Sequence, residues 1–201
     1  MLFFMCFFTF GACFCYDYPA CLEIQIESEF DVSHKTYGLL YTVYAIPNLI
    51  LPLFGGLLFD YIGARNGLMI YTAIVCLGQG IIMIGGYTMD FNIILLGRIV
   101  FGIGAESIYV GQSAIASEWF LHYETSLALA LCTCLPQMAS FVAGIVIPKV
   151  YNLNDDYDKF GRAFSVGFGI TFFCYILVLI LAYIDYRTEK HDKALLKKFI
   201  A

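Results

Sequence analysis

Charged side chains are scarce in this chain of 201 residues, of which only 13% are Asp, Glu, Lys or Arg. Soluble domains carry roughly a quarter of such residues. Hydrophobic residues make up 61% of the sequence, and its mean hydropathy is +0.79. A core of that size would leave too little polar surface to face water. The scarcity of charge therefore excludes an ordinary soluble protein and indicates an integral membrane protein.

Patterns that enzymes or nucleic-acid-binding proteins require are also missing. A net charge of −5 argues against a nucleic-acid partner, since proteins of that class carry basic patches. The sequence has no phosphate-binding glycine loop and no Ser-His-Asp set. Its three histidines lie in predicted links or in the tail: His34, His122 and His191. We therefore expect a protein that is not an enzyme and that holds no cofactor and no metal ion.

The eight cysteines do not form a disulfide or zinc framework. Cys13 and Cys15 are separated by one residue, as are Cys132 and Cys134, whereas zinc sites use wider spacings and histidine partners. Seven of the eight lie within apolar runs, where we expect them to behave as small buried hydrophobic residues. The chain also has no Asn-x-Ser/Thr glycosylation sequon.

Six apolar runs follow one another with short links between them. A helix needs about 20 residues to cross the roughly 30 Å hydrocarbon core of a bilayer. The runs are Met1–Ala20, Tyr37–Leu58, Gly67–Met89, Asn92–Ser117, Thr125–Val150 and Arg162–Tyr186. We predict one six-span transmembrane domain over residues 1–186. Residues 187–201 alternate lysines with apolar residues, which predicts a basic amphipathic helix on the cytoplasmic leaflet or the start of a linker.

Basic and acidic residues fall on opposite sides of the predicted bundle. Arg65 lies in the second link and five basic residues lie in the tail, whereas the first and last links are acidic. Because lysine and arginine are enriched on the cytoplasmic side, we expect both termini and the Asp60 link to be cytoplasmic. The acidic links would then face the lumen or the exterior. The chain starts inside its first run, from which we expect a natural start further upstream; a signal peptide is the alternative.

Two motifs resemble those of a known transporter family. The second link, Gly56–Arg65, contains Asp60 and the turn-permitting Gly63, and it resembles the loop between the second and third helices of the major facilitator superfamily. In the fourth run, over Gly97–Glu106, an arginine is followed by Gly-x-Gly, which resembles the fourth-helix motif of the same superfamily. The resemblance implies an all-α integral membrane fold: six transmembrane helices as two inverted three-helix repeats, half of a twelve-helix transporter fold.

A closer resemblance is to the subfamily of major facilitator superfamily domain-containing protein 1. It rests on Cys15–Ala20, Phe54–Gly56, Phe101–Ser107 and the pair Trp119–Phe120. The resemblance implies a lysosomal exporter of dipeptides that works as a uniporter beside a heavily glycosylated accessory subunit. The lack of a sequon is compatible with such a partner. Two features depart from the family pattern: Tyr61 and Ala64 stand where basic residues are usual, and a second six-span half is missing.

Glu106 is the first candidate for substrate binding. It lies near the middle of the fourth run, where an ionisable group costs a few kcal/mol to insert, so it needs a wet cavity or a partner. Substrate sites of such transporters lie at the bilayer midplane, where a carboxylate suits an amino terminus or a basic side chain. A structural carboxylate that is bonded to a neighbouring helix is the alternative.

Five further polar residues are candidates for the same site: Arg98, Asn48, Gln137, Gln112 and Tyr44. Arg98 lies about 12 Å from Glu106 along the helix axis. It could bind a carboxylate, or it could only extend toward the lumenal headgroups. Asn48 and Gln137 each follow a proline, a residue that bends helices. For the amides and Tyr44, the alternative is hydrogen bonding between helices.

Asp60, Gly56, Gly63 and Arg65 are candidate gating residues. The resemblance implies that Asp60 closes the cytoplasmic side by contact with the other half of the transporter. A charge that only anchors the link at the membrane boundary is the alternative. The other half would come from a missing part of the chain, from a second copy or from another subunit.

The leading prediction is a facilitator that moves a small organic solute, with a dipeptide as the best guess, by alternating access. One alternative is a non-transporting six-helix structural subunit, which would bury Glu106 and Arg98 against helices. Another is a facilitator for sugars or monocarboxylates, although a carboxylate in the cavity argues against anionic cargo. Expected partners are the solute, the lipid bilayer, a second six-helix half and an accessory subunit. A lysosomal or other endomembrane location rests on the resemblance.

Overall fold

The computed structural model describes residues 2–153 and 158–200, and the side chains of residues 52, 53, 122 and 192–200 are not described. Within those ranges every regular element is a helix, which confirms the all-α prediction. The helices are α1 (Leu2–Phe8), α2 (Phe10–Asp17), α3 (Glu23–Glu29), α4 (His34–Ile62), α5 (Ala64–Thr88), α6 (Phe91–Trp119), α7 (His122–Tyr151) and α8 (Lys159–Ile200), with a 3₁₀-helix at Tyr18–Leu22.

The first span consists of several short helical segments in succession. Together α1, α2, the 3₁₀-helix and α3 form one candidate membrane span, Leu2–Glu29. The sequence predicts that the span ends at Ala20, after Pro19. Pro19 instead stands in the first turn of the 3₁₀-helix, where the missing N–H of proline costs little. The helical path therefore continues beyond the predicted end.

The second span is α4, and it is bent. Its parts His34–Leu51 and Phe54–Ile62 meet at an angle of 55°, around the position of Pro52. A proline inside a helix removes a backbone hydrogen bond and allows such a bend. Helices α5, α6, α7 and α8 supply four further spans. When the bent pair is counted as one, the described residues contain six candidate spans, as predicted.

A single glycine makes the turn between the second and third spans. Gly63 has φ 84° and ψ 147°, a backbone conformation that residues with a Cβ rarely adopt. Its N–H donates to the Phe59 carbonyl at 2.9 Å, and α5 begins at the next residue. The structure thus confirms that Gly63 is the residue that permits the turn.

Helices α5 and α6 pack closely because glycines face the contact. A Cβ on Gly78 would lie 2.4 Å from the Phe101 backbone nitrogen, and one on Gly104 would lie 2.6 Å from the Tyr71 carbonyl oxygen. Since helices in a bilayer associate through close packing rather than through the hydrophobic effect, these small residues determine how near the third and fourth spans can come.

The first three spans and the last three pack in a matching pattern. Span two packs on span four, and its counterpart, span five, packs on span one. Span three packs on span four, and its counterpart, span six, packs on span one. Exchanging the two groups converts each of these pairs into the other, while spans three and six pack on each other. Two inverted three-helix repeats produce this pattern.

Two parts of the sequence interpretation lie outside the described residues. Asp155 and Asp156 of the last acidic link fall in residues 154–157, and the three lysines and the large apolar side chains of the tail lie in 192–201. The backbone of the tail continues α8 to Ile200. The amphipathic character of the tail stays a prediction.

Candidate functional site

A cavity of about 420 Å³ opens between spans one, two, four and five. Three predicted site residues line it, one from each of three spans: Tyr44, Glu106 and Gln137. Span one contributes residues that sequence reasoning did not select, among them Tyr16 and Asp17. The helical packing therefore brings together residues that lie far apart in the chain.

Glu106 is half-buried at the wall of this cavity. The Tyr44 hydroxyl donates a hydrogen bond of 3.1 Å to Glu106 Oε1. Gly102, one turn earlier in α6, makes this contact possible, because a Cβ there would lie 2.8 Å from the Tyr44 carbonyl oxygen. The ring of Tyr44 also packs against Tyr16, with 4.9 Å between ring centroids. Glu106 is thus fixed on one side and open to the cavity on the other.

Asp17 is a second carboxylate in the cavity, and sequence reasoning missed it as a site residue. It is the last residue of α2, and its Oδ2 accepts a hydrogen bond from Ser140 Oγ of span five. The signal that could have found it is an acidic residue inside an apolar run that contains no other charge. Such a residue is a functional candidate in a membrane protein.

Arg98 lies outside this cavity. Its side chain is 1% exposed, and its guanidinium faces the rings of Tyr18, Phe101 and Tyr41 at 5.5, 5.8 and 6.0 Å. Nη2 lies 3.5 Å from the Tyr16 carbonyl oxygen, whereas Nε and Nη1 have no hydrogen-bond partner among the described residues. The guanidinium therefore neither lines the cavity with Glu106 nor extends to the headgroups.

Gln112 and Asn48 are also placed away from the cavity wall. Gln112 is buried, and its Nε2 donates to the Met5 carbonyl at 2.6 Å and lies 3.5 Å from Thr9 Oγ1. Met5 lies just before the break between α1 and α2, so Gln112 supports an irregular piece of span one. Asn48 lies next to the Tyr44 hydroxyl, and its own amide atoms are buried. Gln112 thus has the interhelical role given above as the alternative, whereas the Asn48 amide has no hydrogen-bond partner among the described residues, and its part in solute binding stays a prediction.

The candidate gate residues do not form a single group. Asp60 is exposed and takes part in none of the ion pairs of the described residues. Arg65 instead binds α8: its Nε donates to Asp185 Oδ2 at 2.6 Å and its Nη2 to Glu189 Oε2 at 2.7 Å. Trp119 Nε1 donates to the other Asp185 oxygen at 2.8 Å. This network borders a second cavity, of about 630 Å³.

In the last part of α4, Gly55 rather than Gly56 packs closely against another helix. A Cβ on Gly55 would lie 2.8 Å from Ser107 Oγ, whereas a Cβ on Gly56 would have no heavy atom within 4 Å. Gly56 therefore has no packing role within the described residues. Its proposed part in gating stays a prediction.

The acidic first link forms local contacts at the opposite end of the bundle. His34 Nδ1 lies 2.8 Å from Glu27 Oε1 and 3.2 Å from Glu23 Oε1, on an exposed surface. Glu29 accepts a hydrogen bond of 2.6 Å from the Tyr151 hydroxyl. These contacts tie the end of span one to the starts and ends of neighbouring spans.

Curated relatives resemble this chain over nearly its whole length. The chain is 36% identical over 198 residues to a protein of Bos taurus named lysosomal dipeptide transporter MFSD1, and 38% identical over 193 residues to the protein of the same name from Mus musculus. The matches cover 94% and 92% of this chain, but 42% of each relative. The chain thus spans less than half the length of these curated relatives.

Solved structures of transporters share the fold. The POT family transporter PepTSo superimposes with a TM-score of 0.71 at 14% identity, over 89% of this chain and 36% of that one. FucP, a major facilitator superfamily transporter in the outward conformation, superimposes with a TM-score of 0.70 at 13% identity, over 91% of this chain and 49% of that one. The six spans therefore have the arrangement of about half of such a transporter.

The sequence profile described as Major Facilitator Superfamily matches residues 2–199. The match agrees with the loop motif around Asp60 and Gly63, with the glycine-rich fourth span and with the paired three-helix groups. The chain belongs to the major facilitator superfamily.

Proposed function

We propose that this chain forms the amino-terminal six-helix half of a carrier that moves dipeptides by alternating access. The observation that carries the proposal is Glu106, a half-buried carboxylate in the fourth span that faces a cavity between four spans. A carboxylate inside a membrane is costly and marks a solute or ion pathway. In transporters of this class, such pathways lie between helix repeats.

The chemistry of the cavity supports an amine-bearing solute. Tyr44 occupies only one of the Glu106 oxygens, and a carboxylate has further lone pairs for an ammonium group. Gln137 is exposed to the same cavity, and its amide can donate to a peptide carbonyl or accept from a peptide N–H. Dipeptides as the solute, and the lysosome as the location, come from the names of the relatives.

The carrier needs a second six-helix half. It comes from a longer form of this chain, from a second copy or from another subunit, and an accessory subunit accompanies the assembly. In this proposal both termini are cytoplasmic. Exposed Asp60 is then free to contact the second half when the cytoplasmic side closes. Arg65 plays a different part, because it holds α5 to α8.

The structural-subunit alternative is favoured by one observation, the burial of Arg98 among aromatic rings. That alternative requires Glu106 to be buried in the same way, whereas Glu106 borders a cavity. A facilitator for sugars would use the same cavity with Tyr44, Tyr109 and Gln137 as partners. A facilitator for monocarboxylates is disfavoured by the two carboxylates that face the cavity.

The first experiment is the mass of the polypeptide in its native membrane, compared with the 22.6 kDa of this sequence. The curated relatives are more than twice as long as this chain. A species of about twice that mass would therefore support a covalent second half. A species near 22.6 kDa directs the search to a second copy or a separate subunit.

The function itself is tested by uptake into proteoliposomes. The protein is reconstituted in its native form, and entry of radiolabelled Ala-Ala is compared for the wild type, Glu106→Gln and Glu118→Gln. Glu118 is the matched control because it lies on the same helix, is exposed and lies away from the Glu106 cavity. We expect uptake by the wild type and the control, and loss of uptake with Glu106→Gln. Unchanged uptake by Glu106→Gln, in protein of normal stability, would remove Glu106 from the mechanism.

A further inference from the structure

A groove of about 560 Å³ runs along the outside of the bundle between spans three and six. Its walls are two stripes of side chains at helical spacing, and they include Leu77, Gly80 and Ile84 of α5 and Phe168 and Phe172 of α8. None of the described residues that line the groove is charged. We propose that this groove binds a sterol, in the bilayer leaflet on the side of the acidic first link. The inference does not depend on the solute that the carrier moves.

The groove is open to the bilayer rather than covered by another helix of the described residues. Leu77 is 65% exposed and Ile84 is 51% exposed, and exposed apolar side chains of membrane spans contact the hydrocarbon of the bilayer. Gly80 lies between them on the same face of α5 and has no side chain, so the surface is concave at this point. A Cβ on Gly80 would lie 3.3 Å from the Phe168 ring, which borders the groove from α8.

The length of the groove corresponds to one leaflet. Its α5 wall begins at Ala73, and Tyr87 lies one turn beyond Ile84 on the same face of the helix. At a rise of 1.5 Å per residue, the wall from Ala73 to Tyr87 is about 21 Å long, and one leaflet with its headgroup region is about 20–22 Å thick. Tyr87 therefore stands at the membrane surface, where tyrosine is enriched. A molecule in the groove has its polar end at Tyr87 and its apolar end near the midplane.

The polar end of the groove offers a hydrogen-bond acceptor. Ser165 Oγ, one turn before Phe168, donates to the Gly161 carbonyl at 2.6 Å. Because a serine hydroxyl has only one proton to donate, Tyr87 is the donor in the contact of 3.0 Å between the Tyr87 and Ser165 hydroxyls. The Tyr87 oxygen thus keeps its acceptor lone pairs and has no further proton to donate. The hydroxyl of a sterol supplies the hydrogen that this oxygen can accept.

The shape of the groove favours a rigid lipid over an acyl chain. The Phe168 and Phe172 rings share one wall, with 6.2 Å between centroids and an interplanar angle of 26°. A fused ring system packs against such a flat wall without losing internal rotations, whereas an acyl chain loses several. Phosphatidylcholine also has no hydrogen to donate to Tyr87, and its phosphate finds no cation among the described residues that line the groove.

A sterol in this groove bridges the two three-helix groups. Span three belongs to the first group and span six to the second, and the two spans pack on each other beneath the groove. A ligand that binds the folded protein alone raises its melting temperature. We therefore expect the sterol to stabilise the contact between the two groups.

The test uses the purified protein in phosphatidylcholine nanodiscs, with a photoreactive cholesterol that keeps its free hydroxyl as the probe. Mass spectrometry locates the labelled peptides, and the competitors are cholesterol and epicholesterol, in which the hydroxyl has the opposite configuration. Tyr87→Phe removes the acceptor oxygen and keeps the ring, and Leu77→Trp fills the groove. Leu96→Trp is the matched control, because Leu96 is an exposed leucine on span four that does not line the groove.

We expect labelling of the parts of α5 and α8 that border the groove. Cholesterol should compete about three- to tenfold better than epicholesterol, the effect of one neutral hydrogen bond. Tyr87→Phe should weaken competition by cholesterol by the same factor and abolish the difference between the two sterols. Leu77→Trp should lose both the labelling and the rise of melting temperature with cholesterol, whereas Leu96→Trp should keep both.

Three results would each overturn the inference. The first is labelling that Leu77→Trp leaves unchanged, which would show non-specific partition of the probe into the bilayer. The second is equal competition by cholesterol and epicholesterol in the wild type, which would remove the hydrogen bond to Tyr87. The third is labelling of the same peptides by a photoreactive phosphatidylcholine that cholesterol does not displace, which would identify an acyl chain as the occupant.

Discussion

The Tyr44 hydroxyl and the Glu106 carboxylate, 62 residues apart in the chain, are joined by a hydrogen bond of 3.1 Å. The bond links spans two and four at the wall of the cavity and fixes one Glu106 oxygen. It exists because α6 can approach α4 at Gly102. Helix packing and the chemistry of the site are therefore coupled at this point.

Tyr44→Phe should weaken solute binding more than it destabilises the fold. The substitution removes the hydroxyl but keeps the ring between Tyr16 and Phe101. A hydrogen bond to a charged group contributes about 1.5–3 kcal/mol, so we expect roughly a tenfold or greater loss of affinity for Ala-Ala. Tyr183→Phe, on an exposed part of α8, is the control. Equal affinities for the two variants would show that the Tyr44 hydroxyl does not contribute to solute binding.

Gly102→Ala should destabilise the protein, whereas Gly144→Ala should not. The new methyl group at Gly102 would lie 2.8 Å from the Tyr44 carbonyl oxygen, and at Gly144 it would have no heavy atom within 4 Å. Overpacking costs about 1–3 kcal/mol, while alanine for glycine in a free helical position gains up to about 1 kcal/mol. The free energy of unfolding in mixed micelles measures both. Equal stability of the two variants would contradict the close approach of α4 and α6.

Gly63→Ala and Gly56→Ala should differ in the same way, but for a backbone reason. Gly63 has a positive φ of 84°, and Gly56 is helical with open space around it. A residue with a Cβ in a left-handed or similarly strained conformation costs about 1–2 kcal/mol. We expect a lower melting temperature for Gly63→Ala alone. A loss of transport in Gly56→Ala without loss of stability would instead support its predicted gating role.

Arg65 should couple more strongly to Asp185 than to Glu189. The Asp185 side chain is 16% exposed and also accepts from Trp119, whereas the Glu189 side chain is 45% exposed. Double-mutant cycles with Arg65→Gln should give about 1–2 kcal/mol for Asp185→Asn and less than about 1 kcal/mol for Glu189→Gln, because solvent screens exposed pairs. The reverse order would contradict the dependence on burial, and a coupling near zero for Asp185→Asn would show that this contact does not stabilise the fold.

Arg98→Met should leave solute binding nearly unchanged. Arg98 does not line the cavity, and its charge is buried without a carboxylate among the described residues. Burying a charge costs several kcal/mol, which only a partner in good geometry offsets, so an apolar side chain of similar length removes a cost at this position. We expect affinities for Ala-Ala within about twofold of the wild type and an equal or higher melting temperature. A large loss of affinity would show that Arg98 contributes to solute binding.

Several features of the site were predictable because they follow from local sequence. Glu106 is an ionisable residue deep in an apolar run, which already indicates a cavity or a partner. Gly63 lies in a link too short for a residue with restricted backbone. Gln137 and Tyr44 are polar residues in apolar runs, which makes them candidates for the site, and both line the cavity.

Other features depended on which way each helix faces and what lies beside it. Arg98 and Glu106 lie on the same helix, yet the Arg98 guanidinium is enclosed by aromatic rings, whereas the Glu106 carboxylate faces a cavity. Gln112 meets the Met5 carbonyl because span one is interrupted there. Asp17 joins the site through a fold in which span one packs against span five. None of these neighbours can be read from hydropathy.

The sequence by itself determined the number of spans, the turn at Gly63 and the membership of a transporter family, because hydrophobic length and backbone freedom are local properties. Only the tertiary structure decided that Asp17 and Glu106 share one cavity, that Arg98 stands apart from it, and that Arg65 binds Asp185 on the last span. Those relationships depend on the rotation and close packing of helices from distant parts of the chain. In a bilayer, small residues and interhelical hydrogen bonds determine that packing.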